Sequence, residues 1–101
     1  APVQVKILPV TDRAADYANE LSKQLDEAGY RVEVDHRNEK IGKKIREATM
    51  EKIPYMLVVG DRDMENHTVS VRLRTGEDLG AMSVADFAAR LKQDVDTKAI
   101  W

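Results

Sequence analysis

Cysteine is missing from all 101 residues, which removes disulfide staples and thiolate metal sites together. The same absence fits a reducing compartment. Histidine is scarce. His36 ends a candidate strand among charges and His67 falls in a polar stretch, so both read as surface side chains. A zinc set of His36, His67, Asp61 and Asp63 can be assembled on paper, but nothing in the spacing asks for it. Neither Ser70 nor Ser83 has a nucleophile-elbow context, and no GxGxxG or GxxxxGK pattern is present to cradle phosphate. Catalysis by this chain alone is therefore not expected. No apolar run approaches the ~20 residues that a membrane span needs. Positive charge is not in excess either: the formal net charge of −2 argues against wholesale coating of nucleic acid, though not against a local basic patch. Repeats, linkers and low-complexity segments are lacking. The chain opens Ala1-Pro2 with neither Met nor a signal-like stretch, as expected of a processed chain or of a piece of something longer.

What is there describes an ordinary globular domain, 43% hydrophobic and 34% charged. Residues 3–10, VQVKILPV, alternate and then turn apolar, a strand that Pro9 ends. Thr11 or Asp12 is placed to cap a helix whose apolar positions are Ala14, Tyr17, Ala18, Leu21, Leu25 and Ala28, with Gly29 as its stop. Tyr30, Val32 and Val34 alternate with charged residues as a second strand, so the first two strands are expected to be parallel. Ile41, Ile45 and Ala48 form a narrow stripe on a helix of roughly 40–52. The run IPYMLVVG, residues 53–60, has the unbroken apolar character of a central strand buried on both faces. A polar loop is expected over 61–67, a strand through Val69, Val71 and Leu73, and a short strand at Leu79–Met82. Ser83, with Asp86 three residues on, opens a last helix through Val84, Phe87, Ala88, Leu91 and Val95. The domain is assigned to 1–95, leaving 96–101 as an irregular tail. The fold class is α/β: a five-stranded mixed sheet between helices, three of them main, in an α/β/α arrangement.

Charge is segregated along this frame. Residues 1–30 hold three positive and five negative side chains, whereas RNEKIGKKIRE, residues 37–47, holds five positive against two. On a helix with one narrow apolar stripe, Lys40, Lys43, Lys44 and Arg46 are expected on the exposed surface. Ligands of open α/β sheets gather beyond the carboxyl ends of the strands. Asn38 follows the second strand, Asp61 and Asp63 follow the third, and Arg72 and Arg74 share a face of the next. An amide, carboxylates and guanidinium groups suit the edge of a splayed-out base, and guanine in particular offers two N–H donors to a carboxylate. Lysines beside them would hold phosphates without reading sequence. Each residue also has a plain structural reading. Asn38 stands where a helix N-cap would, Asp63 suits a turn, Arg72 could pair with Asp61 or Asp63, and the lysines could be a solvated face.

The strings VEVDHRNEKIGKKIREATMEKIPYMLVVGD and TVSVRLRTGEDLGAMS change this balance. They closely resemble the C-terminal anticodon-binding domain of bacterial-type threonyl-tRNA synthetases, a resemblance running from Ala1 to about Val95. Histidyl, prolyl and glycyl synthetases share the domain type. The resemblance implies a five-stranded mixed sheet with three helices and a role in reading the middle G and following U of threonine anticodons. By position, the family's base-contacting Asn falls on Asn38, its acidic contact, usually Glu, on Asp63, and its Arg on Arg72. Backbone contacts are expected from Arg37, Lys40, Lys43, Lys44, Arg46 and Arg74. At Lys43 the family often has an aromatic residue. The resemblance further implies no cofactor in this domain. ATP, magnesium and a zinc ion would serve other domains of a cytoplasmic, homodimeric parent with no membrane association. The expected partners are the threonine tRNA anticodon loop and the parent's catalytic domain. Two other readings stay open: a free-standing regulatory or dimerisation module of synthetase type, and a phospho-acceptor domain built on Asp61. The second also needs an acidic pair after the first strand, where Asp12 stands alone.

Overall fold

The computed structural model describes residues 3–36, 39–73 and 75–97, the last four by their backbone. Nine elements follow in order: β1 (Val5–Pro9), α1 (Ala14–Glu27), β2 (Val32–Val34), α2 (Ile41–Met50), β3 (Tyr55–Val59), α3 (Asp61–Asn66), β4 (Thr68–Leu73), β5 (Asp78–Ser83) and α4 (Val84–Thr97). The strands make one sheet in the order β2-β1-β3-β4-β5. β1 is parallel to both β2 and β3, while β4 runs antiparallel to β3 and β5. This is the mixed five-stranded sheet expected from the sequence. No helix among the described residues is long and apolar enough to cross a membrane.

Strand alternation sorts the side chains into two layers. Val5, Ile7, Tyr55, Leu57, Val59, Val69 and Val71 point to one face and pack against Ala14, Ala18, Leu21 and Leu25 of α1 and Phe87 and Leu91 of α4. There the Tyr55 and Phe87 rings meet edge to face, 5.5 Å between centroids. On the other face Leu8 and Met56 lie under Ala48 of α2, with Ile41 and Ile45 partly buried beside them. β3 thus buries side chains both ways, as its unbroken apolar run requires. α2 covers the β1 side of its face. Among the described residues no helix lies across the same face of β4 and β5, and the sheet is open there.

Local chemistry explains where the helices stop. At the end of α1 the Tyr30 N–H reaches the Leu25 carbonyl (3.1 Å) and the Gly29 N–H reaches that of Asp26 (2.9 Å), with Gly29 at φ +97°. This is the Schellman pattern, in which a left-handed residue lets the chain recover the last carbonyls. α2 ends the same way. Ile53 N–H goes to Ala48 O (3.3 Å) and Lys52 N–H to Thr49 O (3.0 Å), but the left-handed position is held by Lys52, φ +62°. At α4 the Asp86 N–H donates to Ser83 Oγ (3.1 Å), the expected cap.

Several boundaries differ from the expectation. Residues 61–66 are a helix rather than a loop. Gly60 enters extended, Met64 N–H reaches the Gly60 carbonyl (3.1 Å), and Asp63 folds back to bond the Gly60 N–H. α1 begins after Arg13 without a side-chain cap, because Thr11 and Asp12 offer their backbone carbonyls to Ala14 and Ala15 instead. α2 begins at Ile41 after Lys40, so Asn38 lies two residues before the N-cap; Arg37, Asn38 and Arg74 are outside the described residues. α4 continues to Thr97 and so takes in the first two residues assigned to the irregular tail, whose remainder, 98–101, is also outside the described residues.

Candidate nucleic-acid interface

The basic helix splits into two populations. Lys40, Lys43 and Arg46 are exposed, with Lys43 held 3.4 Å from Glu39 one turn before it. Lys44 is not a surface residue: it is 4% exposed, and its Nζ donates to the backbone carbonyls of Pro9 (3.1 Å) and Asp35 (3.4 Å). The expectation that Lys44 holds tRNA phosphate is therefore corrected. Position 44 lies three residues after Ile41 and four before Ala48, on the inner stripe of the helix. The Thr49 hydroxyl lies 3.7 Å from the Met56 sulfur of β3, which identifies the flank of α2 that looks along the open sheet. Arg46, three residues earlier, falls toward that same flank.

The register places Arg72 opposite Met56 on β3 and Asp78 on β5, with Lys6 beyond Met56 on β1. These side chains share the face that carries α2. Arg72 is half-buried, and its guanidinium makes no ion pair or hydrogen bond among the described residues; neither Asp61 nor Asp63 pairs with it. Asp61 instead stands 4.0 Å from Arg13 at the exposed surface. A bulge between Val71 and Arg72, with Gly80 at φ +76°, gives the strand pair its local twist beside Arg72.

Asp63 lies elsewhere and does something else. It is 8% exposed, its Oδ2 accepts the Gly60 N–H (3.0 Å), and its Oδ1 accepts the Thr68 hydroxyl (2.9 Å). Thr68 and Arg72 are four residues apart on β4, roughly 13 Å along the strand. In this structure the Asp63 carboxylate is taken up by Gly60 and Thr68 and makes no ion pair with Arg72. Asp63 presents an inward carboxylate that fixes the start of α3 to β4. The signal for this was the spacing Gly60-x-x-Asp63, a helix start with an acid at its third position.

At the carboxyl ends of β1 and β2 a cleft of about 220 Å³ is lined by Pro9, Val10, Thr11, Asp12, Ala15, His36, Glu39 and Lys44. Sequence reasoning gave Glu39 and Thr11 no part in a site and weighed His36 only in the zinc set. Their common location follows from two parallel strands ending side by side, which only the pairing reveals. Among the described residues no three His, Asp or Glu side chains come together as metal ligands, so the set of His36, His67, Asp61 and Asp63 is not assembled.

The model of the family described as "Anticodon binding domain" matches residues 4–94. The chain belongs to that family. Among curated proteins, this anticodon-binding domain is 57% identical to the threonine–tRNA ligase of Marinobacter nauticus over 97% of its own length and 15% of the ligase. It is likewise 57% identical to that of Desulforamulus reducens, over 99% of its length and 16% of the ligase. The domain thus spans under a fifth of the relatives it matches. Of solved structures, the RNA binding domain of the threonyl-tRNA synthetase from Cryptosporidium parvum superposes with a TM-score of 0.86 at 25% identity, covering 92% of this chain and 24% of that one. The prolyl-tRNA synthetase of the same organism gives 0.83 at 28% identity, over 96% and 21%. The domain has the fold and family that the RNEK, KIRE and IPYMLVVGD motifs imply.

Proposed function

We propose that this anticodon-binding domain reads the anticodon of threonine tRNA as the recognition module of a threonine–tRNA ligase. The middle G and following U are the bases read. The bases lie on the open sheet face beside α2, with Arg72 and Asn38 in contact with them. Arg37, Lys40, Lys43, Arg46 and Arg74 hold the flanking phosphates. Asp63 shapes the border of the surface by pinning Gly60 and Thr68. Threonine activation, with the ATP, magnesium and zinc it draws on, belongs to other domains of a homodimeric parent.

The observation that carries this reading is Arg72: a guanidinium without an ion pair or hydrogen bond among the described residues, on an uncovered sheet face flanked by the basic helix. An arginine fork presented this way is suited to a base edge, whereas the exposed lysines beside it are point charges suited to phosphate.

The test is an amide chemical-shift titration with an RNA stem-loop bearing a threonine anticodon and with a copy whose middle G is replaced. Affinity for the first is expected at roughly 10⁻⁴–10⁻⁶ M at moderate salt, because a small domain neutralises few phosphates. Arg72→Ala is expected to cost about 1–3 kcal/mol against the G loop and little against its replaced copy. Equal losses for both loops would remove Arg72 from base reading.

A further inference from the structure

We propose that Asp78 is a second base-reading residue: its carboxylate, across the strand pair from Arg72, accepts the two N–H groups of the middle guanine while Arg72 donates to the carbonyl of the same base. This rests on the function proposed above. That function leaves the two N–H groups without a carboxylate, since both Asp63 oxygens are already bonded within the fold.

Register sets the two side chains next to each other. Arg72 of β4 pairs with Asp78 of β5, whereas the preceding pair is Val71 with Gly80, so Leu79 is the extra residue of the bulge. Val71 and Leu73 on either side of Arg72 pack into the main core, as does Leu79 beside Asp78. Arg72 and Asp78 therefore project from the other, open face. Directly opposite residues of an antiparallel pair have Cβ atoms roughly 5 Å apart, and opposite charges there ordinarily join. These two do not. Among the described residues neither makes an ion pair, and the Asp78 Oδ1 instead accepts the Gly80 N–H of its own strand at 2.8 Å. That bond spans the bulge, with Gly80 at φ +76°. Before it, the Leu73 N–H donates to the Glu77 carbonyl (2.8 Å) and the Gly76 N–H to the Leu73 carbonyl (2.9 Å), closing the turn that leads into β5. Asp78 is thus held from both sides along the chain.

An ionised carboxylate has about four lone-pair sites, and the Gly80 N–H occupies one. Asp78 is exposed, and its Oδ2 makes no bond among the described residues. Arg72 brings donors only. In one row the pair complements the Watson–Crick edge of guanine, a carbonyl followed by two N–H groups. Adenine, with an amino group where guanine has the carbonyl, sets a donor against the Arg72 fork. A carboxylate on a face that attracts a polyanion weakens binding of any RNA that gives it nothing in return. Its presence beside an unpaired arginine therefore favours the one base that supplies N–H groups to it.

The experiment compares the unsubstituted chain with Asp78→Asn, which keeps the oxygen that Gly80 uses and turns the other into an NH2 donor. Each is titrated with the threonine anticodon stem-loop, with a copy whose middle G is inosine, lacking only the N2 amino group, and with a copy carrying adenine there, alongside thermal melts. Asp78→Asn is expected to weaken binding of the G loop roughly tenfold, the size of a lost bidentate contact. It should bind the adenine copy as well as before or better, because a negative charge has gone. The unsubstituted chain should prefer G over inosine, and Asp78→Asn should not. A preference for G that survives in Asp78→Asn overturns the proposal and leaves the proposed function standing. This holds whether affinity for all three loops rises alike, as for a repelling bystander, or falls alike with the melting temperature, as for a turn residue. If the unsubstituted chain does not distinguish G from adenine, the function proposed above fails first, a result distinct from either.

Should Asp78→Asn not fold, the unsubstituted chain answers through the carboxyl ¹³C resonance of Asp78. A shift produced by the G loop and not by the adenine copy supports base reading. A resonance that moves with neither loop, or equally with both, overturns it.

Discussion

The Tyr17 hydroxyl donates to the Thr68 carbonyl at 2.8 Å, while the Thr68 hydroxyl donates to Asp63, which in turn accepts the Gly60 N–H. One short chain of hydrogen bonds thus joins α1, β4 and the start of α3. Burial first, then the carboxylates of Asp63 and Glu20, raise the Tyr17 pKa above its ordinary value. A hydroxyl raised on folding contributes stability that is complete below its unfolded value, about 10, and is lost as pH climbs through the folded value. The urea midpoint is therefore expected to fall as the pH rises above about 10. Tyr17→Phe should show a smaller fall over the same window, and parallel curves for the two proteins would deny Tyr17 this role. Asp63→Ala removes the acceptor for Gly60 and Thr68 together. Its expected cost is about 1–2 kcal/mol, read as a lower urea midpoint at neutral pH. A loss of RNA affinity without loss of stability would instead return Asp63 to direct base contact.

At the scale of elements, Lys52 carries the clearest liability. It is the left-handed residue that ends α2, a conformation costing an L side chain roughly 1–2 kcal/mol, against the smaller entropic penalty that glycine brings. The equivalent position after α1 is already Gly29. Lys52→Gly is expected to raise stability by about 0.5–1 kcal/mol, measured by urea unfolding, because the Schellman bonds from Lys52 and Ile53 are made by backbone alone. What the sequence showed and hid divides on similar lines. IPYMLVVG announced β3 because a strand buried on both faces admits no polar interruption. DRDMEN did not announce α3, since a single turn and a half with one apolar residue, Met64, leaves no period to detect. Lys44 was legible in principle. It lies on the Ile41–Ala48 stripe, but a charge inside an apolar stripe is ordinarily read as solvated, and its partners, the carbonyls of Pro9 and Asp35, carry no side-chain signature. That Asp63 bonds Gly60 and Thr68 depends on how α3 meets β4, which residue identity does not encode.

At the scale of the whole molecule, the sheet acts as a charge divider. α1 lies on one face with Asp16, Glu20, Asp26 and Glu27 exposed, and α2 lies on the other with Lys40, Lys43 and Arg46 exposed. A net charge of −2 is therefore compatible with one face that attracts a polyanion and another that repels it. Exposed charges farther apart than about 10 Å are largely screened at moderate salt, so the acidic face scarcely weakens the basic one at close range. It does disfavour docking in the wrong orientation. This fixes how the two faces should differ in a salt titration. Replacing Lys40, Lys43 and Arg46 together by Gln is expected to flatten the dependence of log K on log salt by about 2, near 0.7 for each single-strand phosphate no longer neutralised. The fall in affinity should be the same for a threonine anticodon loop and for its G-replaced copy, since phosphate contacts carry no base preference. Replacing Glu20 and Asp26 on α1 by Gln and Asn should leave both the slope and the affinity nearly unchanged at moderate salt. If both replacements alter the slope alike, RNA is attracted by overall charge, and the face beside Arg72 has no privileged part in binding.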